Sequence, residues 1–138
     1  MFLTQQDYQD HVQADVLNKV INADLTIRTQ TELKVQSLIE SYLNVRYDIS
    51  RIFNKSGSAR NQTVLMYMVD MVVYRVYSRV APSQVPQHVN DKYTDALNWL
   101  KMVAAGKLEP DLPKPAGDSE GSKFNVKYGS ERKRNPYY

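Results

Sequence analysis

Chemistry in a protein begins with its nucleophiles, bases and metal ligands, and in this chain they are sparse. Its 138 residues include two histidines, His11 and His88, and no cysteine. Disulfides, thiolate zinc sites and cysteine nucleophiles are thereby excluded together, a composition that suits folding in a reducing cytosol. The two histidines are far apart in sequence, so a metal site would need carboxylates gathered by folding alone. They read as surface or capping residues rather than as general bases. Ser56-Gly57-Ser58 is the nearest approach to a phosphate-cradling loop, yet it follows no strand pattern and lacks the spaced lysine that such a loop needs. With no nucleophile beside a base, no working pair of carboxylates and no ligand set, the expectation is a protein that is not an enzyme, with no catalytic residue, no metal and no cofactor.

Two other groups of residues stand out. Asp70 has Met66, Tyr67, Val73 and Tyr74 as its helical neighbours at three and four residues, so its carboxylate lies on an apolar face and needs a partner once buried. A structural ion pair of Asp70 with Arg46 is expected, with Arg51 as the other candidate. Met66, Tyr67, Met68, Met71, Tyr74 and Tyr77 stand at helical spacing and read as core or as a subunit contact, both of which Met and Tyr fill well. The second group lies at the end of the chain. Arg132, Lys133 and Arg134 sit among Tyr128, Tyr137 and Tyr138, and basic residues interleaved with aromatics can hold nucleic acid by phosphate contact and stacking. From Lys107 onward, however, seven basic and five acidic residues leave only +2, and the whole chain carries +3 with 24% charged residues. That balance is too even to announce a nucleic-acid binder. Phe124, Val126 and Tyr128 alternate with polar residues like a short strand awaiting an edge, which favours a protein partner for this segment.

The elements that must position these residues read as helices almost throughout the first 105 or so positions. Thr4 with Asp7 imitates a capping box and opens a short helix that carries Tyr8 and Val12. A second short helix is expected over Ala14 to Ile21. A third opens on Thr29 as N-cap with Glu32 three residues on, and places Leu33, Val35, Leu38, Ile39, Tyr42 and Leu43 on an apolar stripe. The pattern fades between Asp48 and Asn61, where Asn54 to Ser58 reads as a loop. Val64 to Tyr77 is apolar on nearly every side and should be the central helix, closed by Ala81-Pro82. The apolar run from Val64 to Val80 is broken by Asp70, Arg75 and Arg79 too often for it to cross a membrane. The last helix opens near Pro86, carries Val89, Tyr93, Ala96, Leu97, Leu100, Val103 and Ala104 on one stripe, and ends at Gly106. Trp99 and Met102 lie off that stripe and are expected at a subunit interface. Four of the six prolines fall after Gly106, so the remainder reads as an extended arm. The expected fold is all-α: a small bundle of four to five helices over residues 1–106, with an extended, Pro-rich C-terminal arm over 107–138.

Several stretches also resemble a known family. Thr4-Gln5-Gln6-Asp7, Ser41 to Tyr47, Asp70 with Tyr74 to Tyr77 and Ala81-Pro82, and above all Tyr93 to Gly106 are similar to the small head-tail connector, or head-completion, proteins of Mu-like tailed phages. The likeness runs in order over residues 1 to 110. It implies an all-helical adaptor in the virion neck, made in the host bacterial cytoplasm and assembled as a homo-oligomeric ring, commonly of twelve copies. Such a ring binds the portal above and a downstream neck or tail-completion protein below, and DNA passes non-specifically through its channel. On this reading Phe124, Val126, Tyr128, Arg132, Lys133, Arg134, Tyr137 and Tyr138 would contact the portal or a neighbouring subunit. The reading from another class is a nucleic-acid-binding accessory protein that uses its basic, Tyr-rich tail.

Overall fold

A computed structural model of the chain describes residues 2–12, 16 and 25–115. Among these residues the protein is all-helical, with no strand. In chain order the helices are α1 (Gln5–His11), α2 (Leu25–Leu43), α3 (Ile49–Phe53), α4 (Gln62–Val80) and α5 (Gln87–Ala104). None is long and apolar enough to cross a membrane. The expected helix over Ala14 to Ile21 falls almost wholly outside the described residues.

The centre is α4, which packs against α1, α2 and α5. Val64, Leu65, Met68, Val69, Met71, Val72, Val73, Val76 and Tyr77 are all buried along it, and each fully buried aliphatic side chain contributes roughly 1.5–3 kcal/mol of transfer free energy. Asn61 starts this helix, its side chain accepting from the Val64 amide at 3.0 Å. Ala81 ends it in front of Pro82, as the proline dictates. Helix α5 returns antiparallel along α4, since Tyr67 meets Trp99 and Tyr74 meets Tyr93. It buries Val89, Ala96, Leu100 and Val103 and leaves its polar face outside. Gly106 stops it at φ +79°. There the Gly106 amide donates to Val103 and the Lys107 amide to Met102 at 2.9 Å, a Schellman ending that suits glycine.

Near the amino terminus the capping box of Thr4 and Asp7 is present. The start expected at Thr29 is not. Helix α2 already runs from Leu25, and its buried positions are Glu32, Val35, Ile39 and Leu43. Leu33, placed on the stripe from sequence, is 57% exposed. The rest of the stripe holds, with Val35, Ile39 and Leu43 buried and Leu38 and Tyr42 packed against the core. At its start, however, the inward position belongs to Glu32, which accepts a hydrogen bond from the hydroxyl of the fully buried Tyr8. Burial pushes the Glu32 carboxyl up, opposed by the Tyr8 hydroxyl and the nearby Arg28.

The stretch from Asp48 to Asn61 holds more structure than its pattern shows. Asp48 caps α3, and Ser56 to Arg60 make a single 3-10 turn around Gly57. The segment after Gly106 also departs from the expected arm, because it folds back onto the body. Leu112 is buried in the core, the Asp48 amide donates to the Pro113 carbonyl at 2.8 Å, and the Asn61 side chain donates to the Asp111 carbonyl. The packed body therefore continues past residue 106.

Candidate functional site

The antiparallel pairing of α4 and α5 leaves an open groove on one side. Met66, Tyr67 and Asp70 of α4 form one wall, and Lys92, Asp95, Asn98, Trp99 and Met102 of α5 form the other. Leu108 closes one end, just past the glycine that stops α5. The space amounts to about 460 Å³. Its floor is apolar and partly wet, with Met66 38%, Met102 41% and Leu108 37% exposed. The Tyr67 and Trp99 rings lie 5.0 Å apart at 31° and are half-buried. Nothing in this lining is a nucleophile beside a base. What the groove can do is bind an apolar or aromatic segment, with two carboxylates and one ammonium at its edge.

Towards the other end of the helices the groove adjoins a small pocket of about 20 Å³, lined by His11, Val12, Val16, Asp70, Val73, His88, Val89 and Lys92. Asp70 lies between the two spaces and is half-buried. Burial pushes its carboxyl up to about 6, against the pull of Lys92 and His11 and with a push from Asp95. The two histidines, distant in sequence, thus share one cavity wall, yet no cluster among the described residues could hold a metal ion.

The structure does not bring Asp70 and Arg46 together. Arg46 is exposed, and its guanidinium lies beside Gly106, where an added Cβ would meet it at 3.2 Å. The groups around Asp70 come from α1 and α5 instead. Of the Met and Tyr residues on α4, Met68, Met71 and Tyr77 are core, Met66 is exposed, and Tyr67 and Tyr74 are half-buried. Trp99 and Met102, expected off the stripe, do line an open surface. Phe124, Val126, Tyr128, Arg132, Lys133, Arg134, Tyr137 and Tyr138 lie outside the described residues.

Sequence reasoning missed the ion pair of Asp7 with Arg60. The guanidinium meets both carboxylate oxygens, at 2.5 and 3.0 Å, with the two side chains 8% and 10% exposed. Arg60 also donates to the Phe2 carbonyl at 2.7 Å and, through Nε, to the Gly57 carbonyl at 2.8 Å. It thereby ties the amino terminus to the loop before α4. Burial alone would raise the Asp7 carboxyl, but hydrogen bonds from Arg60 and Thr4 outweigh it and hold the group below its ordinary range. The capping box was the only local signal, because Arg60 is distant in sequence.

A family model described as bacteriophage Mu, Gp36 matches residues 2–127. The chain belongs to the bacteriophage Mu Gp36 family. The Gp36-family match covers every residue of the groove, of the Asp70 cavity and of the Asp7–Arg60 clip. The resemblance seen in the sequence is thus a true membership at the family level, and the protein is of Mu-like phage type. No curated protein and no solved structure matches the chain.

Proposed function

We propose that this phage protein is a head-tail connector subunit: copies of it form a ring, twelve by the family resemblance, beneath the portal and join it to the tail through a downstream neck protein. DNA passes through the centre without sequence-specific contacts, and the chain performs no chemistry of its own. The observation that carries the reading is the Gp36-family match over residues 2–127, since it holds for body and groove alike. The groove supports it further. A ring contact is heterologous, so each subunit needs two different patches, and an apolar surface around Trp99 and Met102 supplies one of them.

Mass measurement of the purified chain, alone and with purified portal, tests the reading. A closed multi-copy species bound to portal is expected. A chain that ignores portal, and instead binds duplex DNA with an affinity that falls steeply as salt rises, would overturn it in favour of the accessory nucleic-acid binder.

A further inference from the structure

We propose that the groove between α4 and α5 is the docking surface for the carboxyl-terminal segment of the same chain, with Phe124, Val126 and Tyr128 seated on Met66, Tyr67, Trp99, Met102 and Leu108. The groove leaves large apolar side chains partly in water, with Met66, Met102 and Leu108 each more than a third exposed. Such a surface is stabilised by an apolar cover. The cover must suit a rim where two carboxylates, Asp70 and Asp95, face one ammonium, Lys92.

The segment Lys123-Phe124-Asn125-Val126-Lys127-Tyr128 meets both conditions. In an extended chain Phe124, Val126 and Tyr128 fall on one side and Lys123 and Lys127 on the other, so the segment offers an apolar face to the groove and carries a basic charge that complements the net negative rim. From Phe124 to Tyr128 an extended strand spans about 13 Å. The α5 wall from Asp95 to Met102 is about 10 Å long by helical rise.

Connectivity decides for the same chain over a second copy. Leu108 is itself part of the groove, and the chain is next held at Pro113, hydrogen-bonded to Asp48. The described chain ends at Pro115, and the nine residues from there to Phe124 reach up to about 30 Å. Leu108 of the groove precedes Pro115 by seven residues and so lies at most about 25 Å from it, which puts the Leu108 end of the groove within reach of the tethered segment. Closing such a loop costs little more than closing a shorter one, and a short tether gives an effective concentration in the millimolar range. A free second copy must compete against that. Docking is intramolecular and does not depend on the ring, although assembly through Trp99 and Met102 would then require the segment to give way.

Trp99 is the only tryptophan, so its fluorescence reports on the groove directly. The full chain is compared with a chain ending at Pro115, which keeps Leu112, and with the full-length double variant Phe124→Ser, Tyr128→Ser. Both changes are expected to red-shift the Trp99 emission and raise its iodide quenching about twofold as the ring loses its cover, with helical circular dichroism unchanged. The protection in the full chain should be the same from about 1 to about 100 μM protein, far below the tethered effective concentration. Identical emission and quenching in the three proteins would overturn the proposal, and protection that grows with protein concentration would assign the groove to a second copy instead. Neither result touches the portal measurement, so this inference and the connector reading fail separately.

Discussion

At the scale of single residues, the groups that decide stability are charges placed where water is scarce, and they act in opposite directions. Asp70 carries a cost. Its carboxyl is pushed up to about 6 by burial, above the ordinary value of about 4. The folded state therefore holds its proton more tightly, stability falls as pH rises between those values, and the penalty is constant above the higher one. A two-unit shift corresponds to about 3 kcal/mol, which solvent access to this half-buried group reduces to about 1–2 kcal/mol. Asp70→Asn is thus expected to raise the melting temperature at neutral pH, with the two curves converging near pH 4. A lower Tm for the variant at neutral pH would mean that Lys92 and His11 hold the carboxylate in a net-stabilising contact. Asp7 is the reverse case, because its carboxyl is held low by Arg60 and Thr4. Its contribution is present above the unfolded value and lost as pH falls through the folded one. Arg60→Ala leaves that carboxylate buried and unpaired and should cost about 3 to 5 kcal/mol in denaturant unfolding at pH 7. The deficit should shrink in acid, where wild type loses the same pair. A variant as stable as wild type at pH 7 would show that the clip contributes nothing.

At the scale of elements, local signals succeeded where capping and punctuation act within a few residues. Thr4 with Asp7, Asn61, Ala81-Pro82 and Gly106 all stand where their chemistry places them, because a cap is satisfied by its own helix. They failed where a distant side chain claims a residue. Thr29 and Glu32 have capping-box spacing, yet Glu32 bonds to Tyr8, so the inward position at the start of the stripe belongs to Glu32 while Leu33 is exposed. The segment after Gly106 is the other instance. Its prolines exclude helix, but only tertiary packing buries Leu112 beside Ile52 and Asn61. A chain ending at Gly106 should therefore be less stable than one ending at Pro115 by about 2–5 kcal/mol, the range of a large core deletion. Equal melting of the two truncations would refute the packing role of residues 107–113.

At the scale of the whole molecule, α4 and α5 bury one face in the bundle and leave Met66, Trp99 and Met102 on an open side, the surface that the proposed ring contact would use. Met102→Glu should give a folded subunit with unchanged helical content that forms no portal-bound ring by mass measurement. Unfolding of this variant would show that Met102 belongs to the core. The amino-acid sequence by itself determined the helical class, the central place of α4, the start, stripe and end of α5 and the family, because periodicity, capping and proline act locally and the family pattern runs along the chain in order. Only the tertiary structure decided that Asp7 pairs with Arg60, that Tyr8 takes Glu32, that Asp70 stands between a small pocket and an open groove, and that Leu112 is core. These contacts join residues far apart in the chain, and no local spacing encodes which distant group meets which. They follow from how helix faces come to rest once the apolar surface of α4 is buried.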